Sequence, residues 1–166
     1  KLFTEKPGMV SYTYRKSFSQ DVAATLDTLK AMGITDMEFS NLFGKTATEL
    51  RSLLDERRMH CSSFGVGYTD LMEKTAEVAQ NAKILGASFV RVAWVPHVAP
   101  FTEVHARKTI SEFNAVGKIL KENHGLTFGY HNHGYEFQPF GEGTLFDLIV
   151  QEPSPKYLAF KRVIPV

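Results

Sequence analysis

The sequence predicts an α/β fold in which parallel strands alternate with helical crossovers. Two observations point there. Short β-rich runs alternate with amphipathic helical segments at a spacing of roughly 25 to 35 residues, and no low-complexity stretch or evident linker interrupts the pattern. A chain of 166 residues that is 43% hydrophobic suits one domain around one continuous core.

The elements follow in order. Residues 9 to 14 (MVSYTY) alternate as a strand does, and Ser19 or Asp21 can cap a helix running to Met32, with Gly33 closing it. Residues 34 to 40 (ITDMEFS) form the second strand. Thr46 and Thr48 offer N-caps for a helix to about Arg58, carrying Leu50, Leu53 and Leu54 at helical spacing. The third strand is 60 to 68, followed by one long helix over 70 to 85 that Gly86 ends. The fourth strand is 88 to 95. Beyond Pro96 and Pro100 a helix of about 20 residues reaches Asn123, before the fifth strand at 126 to 131. A helix near 143 to 152 and a strand-like run at 157 to 164 complete five strand-helix units and a sixth strand. Both a doubly wound open sheet and part of an eight-stranded barrel of about 250 residues have this order. No strand leads into a glycine-rich nucleotide fingerprint, and Gly65 and Gly67 read as a plain strand end.

Bulk composition narrows the partners. With 19 basic against 18 acidic residues, net charge offers no grip on nucleic acid or membrane, so a small molecule is the expected partner. No apolar run approaches the roughly 20 residues of a membrane-spanning helix. Cys61 is the only cysteine, which excludes an intrachain disulfide and a cysteine-based zinc cluster. The start at Lys1 fits a removed leader or a piece of a longer chain. The expected compartment is the cytoplasm, or the periplasm or exterior if a leader has been removed.

In barrels, chemistry sits at the carboxyl ends of the strands. The polar residues expected there are Tyr14 and Arg15, Glu38 and Asn41, Tyr68, Trp94 and His97, and the run GYHNHGYEF with His131, His133 and Glu136. If the fifth strand continues through this run, His131 and His133 share one face, and Asn132 lies on the other with Phe128 and Tyr130. Two imidazoles and a nearby carboxylate can ligate a divalent ion, contact substrate hydroxyls, or form a polar loop, and the residues alone leave all three open. The spread-out HNH nuclease motif is a different arrangement, because here the letters are consecutive at a strand end. Glu38, between Met37 and Phe39, is either a proton shuttle next to a carbonyl or a solvated strand-end glutamate. Trp94 either stacks on a sugar face or fills core, and His97 either contacts substrate or faces solvent. His60 and Cys61 begin their strand and so lie at the opposite, stabilising end; Glu56, Arg57 and Arg58 read as a solvated helix end.

The runs GMVSYTYR, ITDMEFSNLFG, NAKILGASFVRVAW and above all LTFGYHNHGYEF resemble the sugar phosphate isomerase/epimerase group of the xylose-isomerase-like TIM barrels. The similarity covers about residues 8 to 160. The resemblance implies a partial (β/α)8 barrel and a metal-dependent isomerase or epimerase that moves a proton next to a sugar carbonyl, with a dehydratase on the same scaffold as the alternative. It implies one divalent ion (Mn, Zn, Mg or Co). In this sequence the resemblance makes His131 and Glu136 metal ligands, Glu38 and His133 catalytic, and Tyr14, Trp94, His97 and Asn132 substrate-binding. Similar proteins follow a run like PKYLAF with an acidic Glu-x-Asp pair, where this chain has Lys161, Arg162 and Val163. The single domain 1–166 thus reads as truncated after its sixth strand. That leaves two further expectations: an inactive fragment or weak sugar-binding module, and self-association through exposed sheet edges.

Overall fold

The structure is a computed structural model that describes residues 7–160. The described residues fall into two compact units. One is the chain up to Gly65 with Gln80–Phe89, and the other is Val66–Ala79 with the chain from Val90 onward.

In the first unit, strands β1 (Gly8–Val10), β2 (Asp36–Phe39) and β3 (His60–Gly65) lie side by side in that order and run parallel. Met9 pairs with Met37, Met37 pairs with Cys61, and the register slips by one residue between Met37 and Glu38. Along β2 the buried residues are Met37 and Phe39, whereas Asp36 and Glu38 on the other face are half-buried. The buried face meets helix α1 (Arg15–Gln20), whose Phe18 ring lies edge-on to Phe39 with centroids 5.8 Å apart.

The sequence expects strand through Tyr14, but β1 stops at Val10 and residues Ser11–Tyr14 wind into a 3-10 turn. The reason is tertiary. The buried Ser11 hydroxyl lies 2.9 Å from the Ser40 hydroxyl and accepts the Ser40 backbone N–H at 2.9 Å, which stops the strand there. Helix α1 was not expected either. Of the two suggested caps, Asp21 is the one used: its side chain accepts the Ala24 N–H at the start of α2 (Val22–Ala31). Thr46 caps α3 (Ala47–Glu56) with a reciprocal box to Glu49. Arg57 is not a merely solvated helix end, since it pairs with Asp27 at 2.8 Å. Cys61 is buried, and burial pushes its thiol up to about 12, so it holds its proton at neutral pH.

In the second unit the long helix expected over 70 to 85 is broken at Lys74 (φ −128°), giving α4 (Tyr68–Glu73) and α5 (Thr75–Leu85). Tyr68 opens α4 instead of closing a strand. Strand β4 (Phe89–Val92), the 22-residue helix α6 (Glu103–His124) and β5 (Thr127–Tyr130) follow. Gly125 ends α6 in the left-handed conformation (φ 70°), where a glycine carries no steric cost. Phe128 and Tyr130 of β5 are fully buried, and both pack on Phe113 of α6 with centroids 4.9 Å apart. A 3-10 turn (Tyr135–Phe137) leads into a small antiparallel hairpin, β6 (Pro139–Phe140) and β7 (Gly143–Thr144), that the sequence did not suggest. Thr144 then caps α7 (Leu145–Gln151), and β8 (Leu158–Phe160) pairs parallel with β5. The rest of the expected sixth strand, 161 to 164, and Lys161, Arg162 and Val163 lie outside the described residues.

The chain approaches itself most closely at Gly117 in α6, where an added Cβ would sit 2.4 Å from the Tyr157 carbonyl oxygen. Only a glycine lets the segment entering β8 lie this close to the helix. Asn114, three residues earlier, accepts the Ser154 N–H at 2.8 Å and holds the same segment.

Candidate functional site

The second unit gathers most of the suggested residues at the exits of β4 and β5. Strand β5 ends at Tyr130, and the His131 N–H still reaches back to the Val92 carbonyl at 3.0 Å. Beyond it the run leaves the strand, so strand alternation does not govern Asn132 and His133. The two histidines nevertheless stay adjacent, with ring centroids 5.2 Å apart.

The turn is organised by Glu136, which is fully buried. Both its oxygens lie within hydrogen-bond reach of the His133 N–H, at 2.9 and 3.1 Å, and it accepts the Tyr130 hydroxyl. A carboxylate only accepts, so Tyr130 spends its one hydrogen there and must accept from Tyr135, whose hydroxyl lies 3.1 Å away. Tyr135 in turn accepts the Val95 N–H at 2.9 Å. A directed chain therefore runs from the Val95 amide through Tyr135 and Tyr130 to Glu136, tying the β4 exit to the histidine loop. Burial raises both phenols above their ordinary range, with the Glu136 carboxylate adding to the rise at Tyr130, so both hold their hydrogens at neutral pH.

Around this chain stands a ring of aromatic groups. Tyr135 packs against His97 (centroids 4.3 Å), Trp94 (4.6 Å) and Phe101 (5.2 Å) and is parallel to His133 at 6.0 Å. Trp94, 52% exposed, stacks on His97 at 5.2 Å and meets His133 edge-on at 5.7 Å. Its outer face is open to a ligand, unlike the core filling that a strand tryptophan usually provides. The His97 Nδ1 lies 2.8 Å from the Val95 carbonyl, which only accepts, so Nδ1 carries the hydrogen and a neutral ring presents Nε2 as an acceptor.

Trp94, His97 and His133 are thus brought together, with His131 beside His133. Asn132 is half-buried and its amide nitrogen lies 3.4 Å from the His133 carbonyl. Tyr14 and Glu38 belong to the first unit: Tyr14 closes the 3-10 turn with its hydroxyl 3.8 Å from the Met32 sulfur, and Glu38 lies near the carboxyl end of β2. Tyr135, the centre of the aromatic ring, was not singled out in the sequence. Its place two residues after His133 was the only local hint.

As donors for a metal, the described residues offer two adjacent imidazoles and a carboxylate whose oxygens are engaged within its own loop. Among them no group of three or more His, Cys, Asp or Glu is placed to hold an ion. By themselves they do not complete a metal site. No helix among the described residues is long and apolar enough to cross a membrane.

No protein-family model matches the sequence, and no curated protein does. Solved structures do match in fold. A sugar phosphate isomerase/epimerase from Parabacteroides distasonis superposes with TM-score 0.73 at 20% identity, over 96% of this chain and 69% of its own. A xylose isomerase-like TIM barrel/4-hydroxyphenylpyruvate dioxygenase fusion protein gives TM-score 0.61 at 14% identity, over 83% of this chain and 24% of the fusion. An AP endonuclease, family 2, from Brucella melitensis gives 0.59 at 13% identity, over 84% and 61%. At these identities the likeness is one of fold, and in fold this chain is part of a xylose isomerase-like TIM barrel.

Proposed function

We propose that the chain belongs to an enzyme that isomerises or epimerises a sugar or sugar derivative by moving a proton next to its carbonyl. The observation that carries this reading is the grouping of His133, His131 and His97 with the half-exposed Trp94 at the exits of β4 and β5. Barrel chemistry is done at that end, and the fold is shared with a sugar phosphate isomerase/epimerase.

In this reading Trp94 lies against the sugar, and a neutral His133 takes the proton from the carbon beside the carbonyl. The C–H electron pair passes into an enediol, and the proton returns either to the neighbouring carbon, giving an isomer, or to the opposite face of the same carbon, giving an epimer. His97, with Nε2 as acceptor, takes a hydrogen bond from a sugar hydroxyl, and Tyr14 and Asn132 remain candidates for further hydroxyls. Glu38 is a second candidate acid/base. Bound near His131 and His133, a divalent ion would polarise the carbonyl; it would need ligands additional to the described residues and the release of Glu136 from its loop.

The test is incubation of the whole protein with a panel of aldoses and ketoses in D2O, with and without divalent ions, followed by proton NMR. Deuterium entering at the carbon beside the carbonyl, lost with His133→Ala, is the expected result. Exchange that survives His133→Ala would remove that residue from the chemistry. A product lacking one water would point to the dehydratase alternative, and no exchange with any sugar would sink the reading in favour of an inactive chain.

A further inference from the structure

A second feature lies in the first unit, where the loops leaving β1 and β2 enclose an open cleft of about 490 Å³. Its walls include the Tyr12 and Phe43 rings, and its polar lining comes from Arg15, Lys16, Gln20 and Asn41, with Ser19 beside them. Two cations line it and no carboxylate does. Among the described residues neither Arg15 nor Lys16 has an acidic partner within ion-pair distance, although most other cations that line grooves on this chain do, such as Arg51, Arg57 and Arg107.

Arg15 is held in place without being neutralised. Its guanidinium lies 4.4 Å from the centre of the Tyr12 ring and donates to the Tyr12 carbonyl at 3.0 Å. A guanidinium has five N–H donors in a rigid fork, so this anchoring leaves most of them for a ligand. The opposite wall is equally fixed. Phe43 has φ 49° and stacks on Phe18 with centroids 4.9 Å apart, and its N–H donates to the Asn41 side-chain oxygen at 2.7 Å. That contact commits the Asn41 oxygen and turns its NH2 into the free, donating half of the amide.

A cleft with donors and positive charge along one side and aromatic faces on the other is matched by a ligand with an oxyanion at one end and a sugar ring at the other. We infer that this cleft binds an anionic sugar, carrying a phosphate or a carboxylate, with the oxyanion on Arg15 and Lys16 and the ring against Tyr12 and Phe43. The sugar half rests on the proposed function; the anion half rests on the cleft alone.

Calorimetric titration of the whole protein with glucose, glucose 6-phosphate, glucuronate and inorganic phosphate tests it, with Arg15→Gln and Lys16→Gln compared after their unfolding midpoints are checked. Lys16 makes no contact that folding would lose, so its variant reports on binding alone. An anionic sugar should bind roughly tenfold or more tighter than glucose, and each substitution should remove much of that advantage. The advantage should also shrink as salt is added. The stronger of glucose 6-phosphate and glucuronate identifies the oxyanion. Equal affinity for glucose and the charged sugars, affinity indifferent to both substitutions, or no binding of any probe would overturn the inference. Inorganic phosphate bound through Arg15 with no sugar preference would instead keep the anion site and remove its sugar half, a result that also counts against the proposed function.

Discussion

Replacing Tyr135 with phenylalanine removes one oxygen and leaves the aromatic ring in place. That oxygen accepts the Val95 N–H at 2.9 Å and donates to Tyr130 at 3.1 Å, across 40 and 5 residues of sequence. Val95 is buried, so its amide would lose its partner without gaining ready access to water. A buried donor left unsatisfied costs about 1–3 kcal/mol. The Tyr130 contact adds less, because Tyr130 keeps its bond to Glu136. A loss of about 1–3 kcal/mol is therefore expected in urea unfolding. The sequence has one tryptophan, Trp94, which lies 4.6 Å from the Tyr135 ring, so its fluorescence reads the same loop directly. In Tyr135→Phe the emission should shift and its quenching by the neighbouring His97 and His133 should change. Stability and emission both unchanged would mean that the chain from Val95 to Glu136 does not hold the two loops together.

Two further outcomes follow from packing and burial. Gly117→Ala would gain up to about 1 kcal/mol of helix propensity but would drive a methyl to 2.4 Å from the Tyr157 carbonyl, a backbone atom with little room to yield. A net loss of about 1–3 kcal/mol is expected on the scale of an overpacked core, and a variant as stable as the parent would refute the close approach. The Cys61 thiol is raised by burial to about 12, whereas in the unfolded chain it titrates near ~8.5. The folded form holds the proton over that interval, so the contribution is complete below ~8.5 and is lost as pH rises from there towards about 12. Thiol-reactive dye should label the native protein at pH 8 far more slowly than the urea-unfolded chain, and equal rates would contradict the burial.

Some of this was legible in the residues because it is local. The cap at Asp21, the reciprocal box at Thr46 and the glycine stop at Gly125 each act within one helical turn of the element they end, and the alternation of strand and helix is written in periods of a few residues. The same locality made the run from Tyr130 to Phe137 and the positions of Trp94 and His97 stand out as strand exits. The sequence by itself thus determined the α/β order and most of the groups that meet at the candidate site. Tertiary structure decided what those groups do to one another. Ser11 ends β1 because Ser40, 29 residues on, meets it; Tyr135 becomes the hub because Val95 is brought to its hydroxyl; and Glu136 turns inward because Tyr130 and the His133 amide satisfy it there. Each of these contacts depends on where the backbone has already travelled, and hydrogen-bond partners set by folding leave no periodic trace in the order of the residues.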